Sequence, residues 1–125
     1  MVAHDDSSSW QVICLCAAWC GVCRDWQPAL REMQSARPDL RFAWIDVEDE
    51  DEAMGDVDIE TFPTVLIARD GQARFLGPVA PSAKGLAALL ASLQARPGAQ
   101  AAAPVPAEAQ PLLGRLAPLL ARAAL

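Results

Sequence analysis

The sequence predicts a single α/β domain whose elements follow the order βαβ and then ββα. Residues 10–19, "WQVICLCAAW", form a short apolar run of the kind that becomes a strand buried on both faces. A segment with helical periodicity follows, and then a second apolar run, "LRFAWIDV", at 40–47. This order predicts two parallel strands joined by a right-handed crossover helix. A chain of 125 residues has room for one such domain.

The crossover helix is predicted from one apolar stripe that begins just after the first strand. Its members recur at spacings of three and four: Val22, Trp26, Leu30 and Met33. Pro28 lies inside this helix and is expected to kink it, because proline removes one backbone donor and crowds the preceding turn.

The second half of the chain predicts a hairpin followed by a helix. Apolar segments at 64–68 and 73–76 flank Asp70 and Gly71, which favours an antiparallel pair of strands joined by a tight turn. Pro81 and Ser82 are suited to open the last helix. The buried face of that helix is expected to contain Leu86, Leu89, Leu90 and Leu93.

The ends of the chain differ from this domain, which is expected to span residues 10–96. Residues 1–9 are predicted to be disordered, and the Pro- and Ala-rich stretch 97–111 is predicted to be a linker. Residues 112–125 are expected to form a short apolar helix or tail, since leucines recur there at helical spacing. This tail has two interpretations: it packs on its own domain, or it docks a partner.

The charge distribution narrows the classes of partner. The net charge is −6, and nine of the sixteen acidic residues lie between positions 46 and 60, so no basic surface for nucleic acid is expected. The acidic stretch lacks the residue order of a calcium loop and is interpreted as solvated surface with a short helix ending near Gly55.

The N-terminus has no signal-peptide pattern and no segment is apolar enough to span a membrane, so we expect a cytoplasmic protein with no membrane contact.

All four cysteines lie within ten residues, at positions 14, 16, 20 and 23. Cys20 and Cys23 form a C-x-x-C pair at the predicted strand-to-helix junction, where residues three apart come within the span of a disulfide. A helix N-terminus favours a thiolate, which predicts Cys20 as a nucleophile and Cys23 as the resolving thiol.

A second interpretation is that the pattern C-x-C-x3-C-x2-C binds one zinc ion or an iron–sulfur cluster. It is weakened because Cys14 and Cys16 would share one face of a strand that enters the core, where cysteine usually packs as a small hydrophobe. We therefore expect no metal and no cofactor other than the redox-active Cys20–Cys23 disulfide.

Several motifs resemble those of the thioredoxin family over residues 10–96. "WCGVC" looks like the family's W-C-G-P-C with Val22 in place of proline, and Pro28 matches the proline of the active-site helix. "IETFPT" resembles the segment that carries the family's cis-proline, and Gly77 resembles the glycine that follows the last strand. The resemblance implies a three-layer sandwich with a four-stranded mixed sheet and helices on both faces.

The resemblance also implies a thiol-disulfide oxidoreductase. Cys20 would attack a protein disulfide and Cys23 would release the product. The substrate segment would be bound by the surface around these cysteines: Trp19, Gly21, Val22, Phe62 and Pro63. Expected partners are protein thiols and disulfides and an electron donor of the thioredoxin-reductase type. Two alternatives are a binding or chaperone module with little turnover and a thiolate metal carrier.

Apart from Val22, the sequence departs from the family pattern at four places. The nine residues before Trp10 leave no room for the strand and helix with which the family usually begins. Cys14 stands where the family has a buried proton-accepting aspartate, and Phe42 stands where a lysine accompanies it. Cys16 replaces a tryptophan. Core packing is the first interpretation of Cys14 and Cys16. The alternative is that they modulate the dithiol, with exchange between Cys14 and Cys23 as its specific form.

Overall fold

The structure, a computed structural model, describes residues 9–95 and 105–125. The predicted disorder at 1–8 and most of the predicted linker, 97–104, lie outside the described residues. Four strands and four α-helices are present in the described part of the chain: β1 (Trp10–Cys16), α1 (Gly21–Ala36), β2 (Leu40–Asp46), α2 (Asp51–Met54), β3 (Thr64–Arg69), β4 (Gln72–Pro78), α3 (Ala83–Gln94) and α4 (Ala109–Leu116). A short 3-10 helix (Ala117–Leu119) follows α4.

The strands form one mixed sheet in the order β2-β1-β3-β4. β1 is parallel to β2, as the crossover prediction requires, and antiparallel to β3, which in turn is antiparallel to β4. Asp70 and Gly71 join β3 to β4 with φ values of 50° and 81°, the left-handed conformation that tight hairpin turns need. The predicted α/β class and four-stranded mixed sheet are confirmed.

The two faces of the sheet are covered by different helices, because successive side chains of a strand point to opposite faces. Val12 and Cys14 of β1 pack with residues of α1 and α3, and this side is called the α1/α3 face. Ile13 and Leu15 pack on the other side, which is called the α2/α4 face. Both faces are closed by helices, so the sheet is the middle layer of three.

Three sequence predictions need correction around the first helix and the hairpin. β1 ends at Cys16 and not at position 19, because the chain turns there and the Cys20 amide donates to the Ala17 carbonyl at 2.9 Å. Val22 is not on the buried stripe but is 48% exposed, since α1 begins at Gly21 and its phase turns Cys23 inward instead. Gly77 lies inside β4, not after it.

The C-terminal segment packs on its own domain. α4 begins at Ala109, inside the stretch predicted as linker, and buries Leu112, Leu113 and Leu116 against the α2/α4 face. The end of the chain then pairs with the outer edge of β2: the Trp44 amide donates to the Ala123 carbonyl at 2.9 Å. This pairing covers part of a sheet edge whose backbone groups would otherwise be free to pair with another chain.

Two polar side chains of α4 fix it to the rest of the fold. Gln110 accepts from the Ala73 amide at 2.8 Å and donates to the Gly71 carbonyl at 2.9 Å, which ties the helix to the hairpin. Arg115 donates to the carbonyls of Ala53 at 2.6 Å and Met54 at 3.2 Å, which lie at the end of α2, where carbonyls have no partner within the helix.

Candidate redox site

Cys20 occupies the N-cap position of α1, where the chain leaves an extended conformation and enters the helix. This residue is half-buried, and the backbone N–H groups of Val22 and Cys23 act on its sulfur. The pKa of Cys20 is lowered, mainly because the backbone N–H of Cys23 hydrogen-bonds to the thiolate. The Cys23 side chain, the backbone N–H of Val22 and the positive charge of Arg24 add to this effect, while partial desolvation opposes it. Cys20 is therefore an accessible and activated thiol.

Cys23 lies one turn further along α1 and has no solvent exposure. Its pKa is raised, with burial as the largest cause. Hydrogen bonds from the Cys16 side chain and the Ala17 backbone stabilise its thiolate in part. The two members of the C-x-x-C pair are thus in opposite environments, one reactive at the surface and one protected beneath it.

Cys14 and Cys16 are fully buried on the same side of β1 as Cys23. Burial raises the pKa of both thiols far above the ordinary value. They differ in their relation to Cys23, because Cys16 hydrogen-bonds to the Cys23 side chain whereas Cys14 acts on it only through charge. The sequence interpretation singled out Cys14 for exchange and missed the direct contact of Cys16. The available signal was that Cys16 is the last residue of β1, next to the helix that follows.

Trp19 and Phe62 form an aromatic pair beside Cys20. Their ring centroids are 5.5 Å apart in an edge-to-face arrangement with an interplanar angle of 88°. Trp19 remains 62% exposed, and Gly21 and Val22 next to it are also exposed. The site therefore presents an apolar surface around an activated thiol.

The segment before β3 reaches this surface because of the strand register. Leu15 pairs with Thr64, so the residues that follow β1 and those that precede β3 lie at the same edge of the sheet. The Phe62–Pro63 peptide bond is cis, as the family resemblance implies, and Pro63 is buried. Of the sequence-predicted surface residues, Trp19 and Phe62 are thus brought into contact.

Two acidic residues support the loop that carries Trp19, a role that sequence reasoning missed. Asp46, at the end of β2, accepts from the Ala18 amide at 2.8 Å. Glu48 accepts from the Trp19 indole N–H at 2.8 Å. Asp46 pairs in register with Cys16, so its position at the carboxyl end of the neighbouring strand was the signal that placed it here.

Within residues 9–95 and 105–125, no group of three or more His, Cys, Asp or Glu side chains is arranged to hold a metal ion. All four cysteines belong to this part of the chain and are free thiols. Among the same residues, no helix has the length and apolar character to cross a membrane.

A dithiol at a helix N-terminus, next to a segment with a cis-proline and on a mixed four-stranded sheet, is the arrangement of the thioredoxin-fold class. The thioredoxin family model matches residues 2–92, and the chain therefore belongs to the thioredoxin family.

Individual relatives agree with this assignment. The chain is 36% identical over 61 residues to the mitochondrial thioredoxin-3 of Saccharomyces cerevisiae, which covers 49% of this chain and 48% of that protein. It is 38% identical over 80 residues to a thioredoxin of Mycobacterium tuberculosis, covering 62% and 65% of the two chains. The crystal structure of the oxidized yeast protein superposes with a TM-score of 0.58 at 28% identity, over 66% of this chain and 76% of that one. The chain thus spans about half the length of the yeast relative that it matches in sequence.

Proposed function

We propose that this protein is a thiol-disulfide oxidoreductase that acts on protein disulfides, with Cys20 as the nucleophile and Cys23 as the resolving thiol. The observation that carries this proposal is the contrast within the pair: Cys20 is accessible with a lowered pKa, and Cys23 is buried with a raised pKa. The thiolate is the nucleophile in disulfide exchange, so attack by Cys20 is favoured and premature attack by Cys23 is suppressed.

The proposed reaction has two exchange steps. The Cys20 thiolate attacks one sulfur of the substrate disulfide, which forms a mixed disulfide and releases the first substrate sulfur as a thiolate that takes a proton. Cys23 then loses its proton and attacks the Cys20 sulfur, which releases the second substrate sulfur and leaves a Cys20–Cys23 disulfide. The substrate gains two electrons and the protein loses two; the reverse sequence oxidises a substrate dithiol.

The second step requires a buried thiol to ionise, and no carboxylate was predicted in the core to accept its proton. The Cys16 side chain and the Ala17 backbone N–H supply the stabilisation of the Cys23 thiolate in the present chain. The Cys20–Cys23 disulfide is the redox group of this proposal, and no other cofactor takes part in either step.

The proposed substrate surface consists of exposed Trp19, Gly21 and Val22 and half-buried Phe62 around Cys20, with buried Pro63 behind them. Such a surface suits an extended apolar segment that carries a disulfide or thiol. Regeneration of the dithiol would require an electron donor of the thioredoxin-reductase type.

The cytoplasmic location remains a prediction, and the relatives include a mitochondrial thioredoxin.

Reduction of insulin by dithiothreitol, followed as turbidity, tests this function. Wild-type protein should accelerate the reaction, and Cys20→Ser should remove that acceleration entirely. Cys14→Ser is the matched control, since it makes the same substitution at a buried cysteine of β1 and leaves Cys20 and Cys23 in place. Equal rates for wild type and Cys20→Ser would refute the proposal.

A binding module with little turnover is the second candidate, and the fixed position of Trp19 favours it. The Trp19 ring is held by Phe62 and Glu48 while most of it stays exposed, as in a preformed docking surface. Under this function, Trp19→Ala would abolish capture of an unfolded client and Cys20→Ser would not. Deletion of the C-terminal tail is unsuitable as a test, because it removes buried Leu112 and Leu116.

Metal analysis of the purified protein tests the third option, a thiolate metal carrier.

A further inference from the structure

We propose that Cys16 is a third redox-active thiol, which takes over the disulfide by forming a Cys16–Cys23 bond and releasing Cys20. This inference rests on the proposed function, because that function supplies the Cys20–Cys23 disulfide from which the exchange starts. The family motif gives no role to a thiol at this position, where the family has a tryptophan.

The placement of Cys16 carries the argument. It is the last residue of β1 and is fully buried. Because it is two residues beyond Cys14, it lies on the same α1/α3 face, which is covered by the helix that carries Cys23. The chain between them is short and is folded back by the hydrogen bond from the Cys20 amide to the Ala17 carbonyl. The Cys16 and Cys23 side chains hydrogen-bond to each other, so the two sulfurs are already neighbours before any bond forms.

Cys23 therefore lies between two thiols. Cys20 contacts it from the solvent side and Cys16 from the core side. Cys14 is excluded from this contact in the described structure, since it interacts with Cys23 through charge alone. A disulfide to Cys23 consequently has two candidate partners, and the inner one is Cys16.

The exchange step balances without an external oxidant. The Cys16 sulfur loses its proton and attacks the Cys23 sulfur of the Cys20–Cys23 disulfide. A Cys16–Cys23 bond forms, the Cys20–Cys23 bond breaks, and Cys20 leaves with the electron pair and takes up the proton or stays as the thiolate. No net oxidation occurs, and the number of disulfides in the protein stays at one.

The leaving group favours this direction. A thiol with a low pKa departs more readily in thiol-disulfide exchange, and Cys20 is the activated thiol of the cluster. The reactant has a buried Cys16 thiol beside the Cys20–Cys23 disulfide. The product has the disulfide in the core instead, and its free thiolate is at the helix N-terminus, where the charge is stabilised. An oxidised molecule with a free Cys20 would retain a nucleophile at the surface.

Peptide mapping of the oxidised wild-type protein tests this inference. The full chain is equilibrated with oxidised dithiothreitol, quenched with acid, treated with N-ethylmaleimide, and digested with chymotrypsin. Cleavage after Trp10, Leu15, Trp19 and Trp26 leaves Cys14 on peptide 11–15, Cys16 on peptide 16–19, and Cys20 with Cys23 on peptide 20–26. The peptide masses then show which of the four cysteines are in a disulfide and which carry the maleimide.

The expected result is a disulfide that links peptide 16–19 to peptide 20–26, with the maleimide on Cys20. Cys16→Ser should lose this linked pair completely, and Cys14→Ser should keep it. A disulfide only within peptide 20–26, or a link from peptide 11–15, would overturn the inference while leaving the Cys20–Cys23 function intact. Failure of the function itself would be seen separately, as the absence of insulin reduction by the wild-type protein.

Discussion

The two faces of the sheet differ in what they contain, although both are closed by helices. The α1/α3 face holds Cys14 in its core and receives Cys23 from the first turn of α1. The α2/α4 face has an apolar core of aliphatic side chains, among them Ile13, Leu15 and Leu66, and covers it with three leucines of α4.

The two faces of β1 therefore carry different kinds of residue: buried apolar side chains that stabilise the fold on one face, and cysteines near the redox pair on the other. Odd-numbered residues of β1 pack beneath α4, and the even-numbered Cys14 and Cys16 lie toward the helix whose N-terminus activates Cys20. A substitution on the α2/α4 face should therefore change the free energy of unfolding and leave thiol reactivity unchanged. A substitution beside Cys20 and Cys23 should change thiol reactivity and leave the free energy of unfolding unchanged.

The largest expected effect comes from the α2/α4 face. Leu116→Ala removes a fully buried side chain and should lower the free energy of unfolding by about 2 to 5 kcal/mol. The measurement is urea unfolding of the reduced protein, with Leu119→Ala as a control that truncates a half-buried leucine and should cost less. The rate at which iodoacetamide alkylates folded Cys20 should stay at the wild-type value. A large change in that rate would show that the two faces are coupled.

The next effect concerns the connection of α4 to α2. Arg115→Ala leaves the Ala53 and Met54 carbonyls without their charged donor, and we expect a loss of about 1.5 to 3 kcal/mol in the free energy of unfolding. Arg122→Ala is the matched control, because its ion pair with Glu50 at 3.2 Å lies at the surface. That control should lose less than about 1 kcal/mol. Equal losses for the two variants would contradict the role assigned to Arg115.

The third prediction uses the buried thiols of the α1/α3 face. Cys14, Cys16 and Cys23 have raised pKa values in the folded protein, so their stabilising contribution is present below the pKa of an unfolded thiol and is lost as the pH rises above it. Above about pH 8.5, the free energy of unfolding of the reduced protein should fall by about 1.4 kcal/mol per pH unit for each thiol that stays protonated.

The amino-acid composition leaves few other groups whose titration would contribute to this pH dependence. The chain has no tyrosine and a single lysine, Lys84, so few other groups titrate between pH 8.5 and 10. Cys20 has a lowered pKa in the folded protein, so its own contribution changes with pH in the opposite direction and levels off above the pKa of an unfolded thiol. Urea unfolding of Cys14→Val and wild type at several pH values makes the comparison. In Cys14→Val, the free energy of unfolding should fall less steeply with pH, because one thiol fewer contributes to the fall. An unchanged slope would show that Cys14 titrates normally.

Most of the fold was predictable from local patterns. The alternation of apolar runs with helical periodicity gave the order of strands and helices, and Asp70–Gly71 gave the hairpin turn. The cis Phe62–Pro63 bond followed only from the family resemblance, because an X–Pro bond in a folded protein is usually trans.

The missed features depend on contacts between distant parts of the chain. Periodicity gave the leucines of α4 but not the face that they cover, since an apolar stripe does not specify its partner. The burial of Cys23 in place of Val22 depends on which residue begins α1, and element boundaries are the least certain part of a pattern. The contacts of Asp46 and Cys16 required the register of β1 and β2, which the sequence does not state.

The smallest expected effect lies at the surface of the redox site. Arg24 lowers the pKa of Cys20 through its charge, but the backbone N–H of Cys23 is the larger cause. Arg24→Gln should therefore raise the pKa of Cys20 slightly and move the pH profile of its alkylation by iodoacetamide to higher pH. Below the midpoint of that profile the rate should fall, within about fivefold as for other exposed charge pairs, and on the alkaline plateau it should not change.

Arg31→Gln is the matched control, since it removes the same charge from the same helix two turns further from Cys20. Added salt should reduce the difference between Arg24→Gln and wild type, because an exposed charge is screened whereas a backbone N–H group is not. Identical profiles for wild type and Arg24→Gln would assign the activation of Cys20 to the helix amides and the Cys23 side chain alone. A shift larger than fivefold would make the side-chain charge the dominant cause, contrary to the geometry of the N-cap.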